Sequence, residues 1–196
     1  MLFRFIIVLG CIVLFINGCN SLISQNFGTH KLRSFTMEQV VSDNIGDADF
    51  IEVTNAWQSG DYLHAPGTRK YDKDIVLYPL LDRAQLTALD SGQIVQPAIV
   101  VWTQEFQWDC PQKNNCIDRK EVTMKGVVRE IPNEAYRSTA LPASKFQLPD
   151  DVVFVEVGKA PIEWYWNLSM MLGAVLIAFL LERASFKRTK KLKSNP

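Results

Sequence analysis

Trp164-Tyr165-Trp166-Asn167-Leu168-Ser169-Met170-Met171-Leu172-Gly173-Ala174-Val175-Leu176-Ile177-Ala178-Phe179-Leu180-Leu181 is the stretch that decides how this chain is organised. It carries no charge, and as α-helix it would reach about 27 Å at 1.5 Å per residue. That is close to the ~30 Å hydrocarbon layer of a bilayer, so it crosses with little tilt. Trp164, Tyr165 and Trp166 stand at its start, where amphipathic rings favour the headgroup boundary. Arg183, Lys187, Arg188, Lys190, Lys191 and Lys193 lie just beyond it. A buried core helix would turn a polar side outward every turn, and none appears between Met170 and Leu181. The sequence predicts a transmembrane helix over 163–182 and a basic cytoplasmic tail over 183–196. Trp164, Tyr165, Trp166, Arg183 and Lys187 are its interface anchors.

A second apolar run opens the chain. Phe5 to Ile16 lacks any charged or strongly polar residue, and the run continues through Asn17, Gly18, Cys19, Asn20 and Ser21 to Ile23. The uninterrupted part is short for a span and close to a signal-peptide apolar region. Ile16-Asn17-Gly18-Cys19 resembles a bacterial lipobox, which makes Cys19 a candidate for lipidation. Residues 1–23 are read as an uncleaved membrane anchor, with a lipoprotein signal and a cleaved signal as alternatives. All three place the domain after residue 23 outside the cytoplasm.

The whole chain is neutral, with 21 Lys+Arg against 21 Asp+Glu, which gives no basic bias toward nucleic acid. The charge is unevenly placed. Residues 24–162 hold 14 Lys+Arg and 19 Asp+Glu, a net of −5, while the tail is basic. The positive-inside rule then puts both termini in the cytoplasm and residues 24–162 outside it, with a bacterial inner membrane as the expected location.

Residues 24–162 can bury a core without help. Thr36-Met37-Glu38-Gln39 has the form of a capping box opening a short helix that ends near Asn44-Ile45-Gly46. Phe50–Trp57 reads as a strand with Ile51, Val53 and Trp57 alternating against Glu52, Thr54 and Ala56. Ile75–Leu81 is an apolar run interrupted by Pro79, expected to end at an edge or bulge. Arg83–Leu89 has helical spacing, with Gly92 as its stop. Ala98–Trp108 and Lys120–Ile131 both alternate with period two and are predicted to pair as a hairpin, with Trp102, Phe106 and Trp108 filling the interior. Val152–Val157 is the last strand. The fold class expected is α+β, a small β-rich, OB-like barrel between two terminal membrane segments.

Of four cysteines, Cys110 and Cys116 flank the turn of that hairpin and are expected to form a disulfide in an oxidising compartment. Zinc would need four ligands, and no nearby histidine supplies the rest. Neither a metal site nor a cofactor site is expected.

Catalytic constellations are sparse. His30 and His64 are the histidines, and no nucleophile elbow, zincin, P-loop or dinucleotide motif is present. Asp47/Asp49, Asp72/Asp74 and Asp150/Asp151 read as surface charge. Asn167-Leu-Ser matches a glycosylation triplet at a depth where a transferase could hardly reach it. Two long connections, 58–74 and 133–151, supply Tyr62, His64, Arg69, Tyr71, Tyr136, Arg137 and Phe146 as candidate partner-binding residues.

The order of terminal anchor, extracytoplasmic β-rich domain and terminal transmembrane helix is similar to that of the Surfeit-type assembly factors for terminal oxidases; the likeness covers topology and carries no site residues. The function expected is a membrane-anchored, non-enzymatic interaction or assembly protein. Its expected partners are the lipid bilayer and a protein in or at the membrane. The alternatives are an extracytoplasmic enzyme, with His64 and a nearby Asp converging in the fold, and a barrel that binds a small ligand or lipid.

Overall fold

The computed structural model describes residues 2–67, 73–107, 109–113, 115–132 and 141–193. In chain order the elements are α1 (Leu2–Phe27), β1 (Arg33–Thr36), α2 (Met37–Asp43), β2 (Phe50–Gln58), β3 (Leu63–Ala65), β4 (Ile75–Leu81), α3 (Arg83–Asp90), β5 (Ile99–Thr103), α4 (Cys110–Lys113), β6 (Lys120–Val128), β7 (Val153–Val157) and α5 (Trp164–Lys193). The fold is α+β and divides into two compact units, residues 1–31 with 161–196, and residues 32–160.

The larger unit is a closed five-stranded barrel. Strands β2, β6, β7, β5 and β4 pair in that order, and β4 returns to β2 through Trp57↔Leu81 and Gln58↔Leu80. β5 and β7 run parallel, and the other barrel neighbours run antiparallel. β2 can take two neighbours on one side because its edge is divided. β1 covers Ile51 to Thr54, and β4 covers Trp57 and Gln58. The register with β6 shifts between Val53 and Ala56, where Asn55 adopts φ 56°. An extra residue of this kind bends the strand and reverses its alternation. Ala56 therefore faces inward and Trp57 outward, opposite to the phase read from the sequence.

Pro79 sits inside β4, a strand buried at every position. Its rung falls between Leu80, paired with β2, and Leu77, paired with β3, so no ladder bond on that side is lost to the missing N–H. The sequence expectation of an edge or bulge at Pro79 is not met: β4 keeps an unbroken register with β5 through Pro79, and the proline is accommodated by this gap between two partner strands instead.

Apolar residues sort into two layers. Ile51, Val53, Ala56, Val76, Tyr78, Leu80, Ile99, Val101, Met124 and Val155 come from all five barrel strands and fill the interior, with Met37 and Val40 of α2 packed on them. Leu77, Val100, Trp102 and Phe154 point the other way and are covered by Leu86 of α3 and by Ile131, Leu141 and Phe146. Both flanking helices start at capping boxes. Gln39 N–H donates to Thr36 Oγ1 at 3.3 Å, and Gln85 N–H donates to Asp82 Oδ1 at 2.7 Å. Helix α3 stops before Gly92, which takes φ 79°.

The predicted hairpin is not formed. β7 lies between β5 and β6, and the two strands share no rungs. β5 also ends at Thr103, where the Glu105 N–H donates to Thr103 Oγ1 and turns the chain away. Every residue of β5 is buried because both of its faces are covered, so its alternation marked two core layers rather than one wet face. Trp102 belongs to the outer layer, not the interior, and its indole donates to Arg129 O at 2.9 Å. Phe106 lies beyond the strand, partly buried against the interior cluster, and Trp108 lies outside the described residues.

The smaller unit is a helix pair. Arg4–Phe27 and Trp164–Arg183 are both long and apolar enough to cross a membrane. α1 runs unbroken past Asn17 and Asn20 to Phe27, beyond the boundary at 23 expected from sequence. Its contacts with α5 are antiparallel, from Arg4 Nη2 on Glu182 Oε2 at 2.5 Å to Gln25 on the Ile162 carbonyl. At Gly18 a Cβ would come within 2.6 Å of Met171 Cγ and 2.9 Å of Asn167 O, so only glycine lets the backbones approach there. Asn167 is 1% exposed, and its Nδ2 donates to Ser21 Oγ at 2.8 Å. The asparagine of the glycosylation-like triplet thus serves as a polar contact between helices.

The tightest backbone approach in the barrel is at Gly126, where a Cβ would stand 2.5 Å from Glu156 O and 2.8 Å from Val155 Cγ1. Gly126→Ala must push β6 from β7, and a loss of about 1–3 kcal/mol is expected. Denaturant unfolding of the detergent-solubilised chain, followed by tryptophan fluorescence, measures it.

Candidate functional site

The barrel end where β4 begins and β5 finishes gathers the chemically most capable side chains. The connection after β2 does not stay a loop over 58–74 as the sequence implied. It forms β3, whose Leu63, His64 and Ala65 pair with Leu77, Val76 and Ile75. Leu63 and Ala65 turn to the outer layer, so His64 takes the opposite side at the barrel rim. Its Nε2 lies 3.1 Å from Asp74 Oδ2, and its ring meets Phe106 edge-on at 5.9 Å between centroids. Asp74 Oδ1 accepts from the Gly67 N–H at 2.9 Å. One carboxylate therefore holds both the histidine and the chain leaving β3.

The Gly67 N–H is the largest influence on Asp74 and holds its carboxyl below the ordinary 3.8; desolvation opposes it, and the His64 contact adds a smaller lowering. An imidazole oriented by a carboxylate is half of a general-base arrangement. Among the described residues, the ring that meets this imidazole edge-on is apolar.

Tyr62 lies beside this rim, partly buried against the interior cluster along with Phe106, Cys116 and Ile117. Its hydroxyl is buried without a hydrogen-bond partner among the described residues. Cys110 and Cys116 are disulfide-bonded, with Cα atoms 4.8 Å apart. Cys110 opens α4 rather than ending a strand, so the bridge closes a compact turn outside the ladder and does not staple two paired strands. Deeper in the barrel, burial pushes the Tyr78 hydroxyl up to about 12, against a smaller effect of its hydrogen bond with Gln58. Tyr78 thus stays neutral in the interior.

Two of the candidate partner-binding residues belong to this region: His64 contacts Asp74 and Phe106, and Tyr62 packs against the interior cluster. Phe146 does not join them. It is 3% exposed, packed in the outer layer, and the amide bonds Val95 N–H to Lys145 O and Gln147 N–H to Val95 O hold its segment in place. The sequence offered it as an exposed aromatic because its neighbours are polar, but burial by β5 and β7 is a tertiary effect. Arg69, Tyr71, Tyr136 and Arg137 lie outside the described residues. Of the membrane-interface residues, Trp164, Tyr165 and Trp166 are exposed at the start of α5, and Arg183 is exposed near the end of its apolar span. Lys187 lies within α5. Cys19 is half-buried within α1, its Sγ 3.7 Å from Met171 Sδ.

At the opposite barrel end, a shallow groove of about 410 Å³ is lined by Val41, Asp43, Gln85, Gln96 and Asp151. A second, of about 350 Å³, runs past Asp47, Asp49 and Arg129. Arg129 reaches from there to Glu156 Oε2 at 2.7 Å, and that carboxylate is only 6% exposed. Sequence reading missed this pair because its members sit 27 residues apart on strands not expected to be neighbours. Among the described residues no group of three or more His, Cys, Asp or Glu side chains could hold a metal ion. Comparison of the chain with protein-family models, curated proteins and solved structures gave no match.

A carboxyl whose pKa falls on folding gives stability that is complete above its unfolded value and is lost as pH drops through the folded one. Asp74 therefore tethers Gly67 fully above pH 3.8 and releases it progressively below. Hydrogen exchange of the Gly67 amide should be slowed in the wild type above that pH. Asp74→Ala should exchange faster, by a factor that does not grow on acidification.

Proposed function

We propose that the chain is a membrane-anchored interaction or assembly protein, with both termini in the cytoplasm and residues 32–160 held outside it, at a bacterial inner membrane. The observation that carries this reading is how its apolar surface is distributed. The barrel interior is filled by side chains between 0% and 5% exposed, so function falls to the domain's surface rather than to an internal ligand chamber. Large exposed apolar residues concentrate on or beside α1 and α5, with only Val41 and Ile94 elsewhere among the described residues. Such a split favours lipid around the helices and water around the barrel.

Three further features support the topology. The antiparallel helix contacts bring both termini to one end of the pair, in agreement with the basic tail. The Cys110–Cys116 bond suits an oxidising compartment. Continuity of α1 through Cys19, and its contact with Met171, favour an anchor helix over a lipidated cysteine. The OB-like reading of the barrel draws support from its five strands, its closure, and the crossover that carries the chain from β5 past β7 to β6.

A second reading, an extracytoplasmic enzyme, has one observation in its favour, the His64–Asp74 contact at the rim. A photo-crosslinking residue at His64 in native membranes separates the two. Under the leading view, a reproducible protein adduct forms there, and it is absent when the same probe replaces Thr123 on the outer face of β6. Turnover by the purified chain that is lost in both His64→Ala and Asp74→Asn, with no adduct, would establish the enzyme instead.

Topology is checked by reporter fusions after Gln58 and after Pro196. These should report opposite compartments; the same compartment for both would overturn the two-span arrangement.

A further inference from the structure

We infer that the basic end of α5 is a binding surface for anionic phospholipid headgroups, on the leaflet from which the helix emerges. This rests on the membrane-spanning reading of α1 and α5. The helix does not stop where its apolar span does. The span closes at Arg183, and α5 continues to Lys193. Ten further residues of helix add about 15 Å along the axis. Arg183, Lys187, Arg188, Lys190, Lys191 and Lys193 thereby occupy successive turns of one helix that starts at the hydrocarbon boundary.

Charge at this end is one-sided. From residue 183 to the last residue there is no Asp or Glu. Glu182, the one acid beside it, is already paired with Arg4 across the helix contact at 2.5 Å. Neither residue therefore offsets the cations beyond. Fields near a membrane decay over a Debye length, about 8 Å at physiological salt. Counted along the helix axis, Arg183, Lys187 and Arg188 fall within that distance of the hydrocarbon boundary. A juxtamembrane run of this kind draws anionic lipid, with each cation near the surface contributing. Trp164, Tyr165 and Trp166 at the other end of the span resist sliding along the bilayer normal, which keeps the cations at headgroup level. A positive-inside signal alone would need the charges during insertion only, and would leave no lipid preference in the inserted protein.

The test uses the full chain reconstituted in phosphatidylcholine bilayers that carry trace spin-labelled phosphatidylglycerol or phosphatidylcholine. Electron spin resonance then reads the motionally restricted lipid at the protein surface. The expected result is a severalfold preference for phosphatidylglycerol at low salt, weakened by high salt. It should be abolished by Lys187→Gln, Arg188→Gln, Lys190→Gln, Lys191→Gln and Lys193→Gln together, with Arg183 kept. Equal association of the two labels in the wild type, or a preference unchanged in the variant, would overturn the lipid surface and leave a topology signal only. No restricted component for either label would overturn the spanning reading itself.

Discussion

Two rungs hold the barrel shut. Trp57↔Leu81 and Gln58↔Leu80 are the whole of the β2–β4 pairing, and without them the strands would form an open, twisted sheet with two raw edges. The closure depends on β2 changing neighbours partway along its length, from β1 to β4. The bulge at Asn55 makes that change sterically possible by bending the strand. Once closed, the sheet has an inside, and buried side chains of all five strands meet there. The buried Tyr78 and Gln58 lie at this seam, where a polar contact can be satisfied without opening the interior.

Closure also explains why one side of the domain carries a second apolar layer. β4, β5 and β7 are adjacent in the barrel, and each turns apolar side chains outward as well as inward. Those outward residues need cover, which α3 and the segments around Ile131, Leu141 and Phe146 provide. β6, by contrast, exposes Glu121, Thr123 and Lys125 to water. The barrel is therefore wet on one flank and covered on the other. The rim carrying His64 and Asp74 is where a stretch of chain crosses from β3 back to β4.

Local signals were legible in the sequence and partner choice was not. The capping box at Thr36, the helix after Arg83 with its stop at Gly92, the strand over Ile75–Leu81 and the two apolar helices follow from chemistry within a few residues of each element, whereas the capping box at Asp82 went unread. The link between Cys110 and Cys116 could also be read, although its setting could not. The hairpin expectation went astray because alternation in β5 says only that its two faces differ, and β7 enters from 50 residues downstream. The phase of β2 after Asn55 was misread for the same reason. A bulge is set by the demand of two neighbours, not by the residue itself. Phe146 illustrates the limit for the site, since its exposure depends on strands distant in sequence. Asp74 as the partner of His64 was within reach, because a return strand starting one residue later makes that pairing geometrically natural.

The contact between α1 and α5 joins the two ends of everything between them. Residues 32–160 form a loop whose ends are gathered by the helix pair for as long as that pair holds. In this respect the pair acts on the barrel as a crosslink does. A closed loop of roughly a hundred residues loses several kcal/mol of unfolded-state entropy in the chain-entropy picture. The barrel's free energy of folding thus depends partly on Gly18, Ser21 and Asn167, residues outside its own chain segment, and the same barrel severed from its helices would be the less durable object.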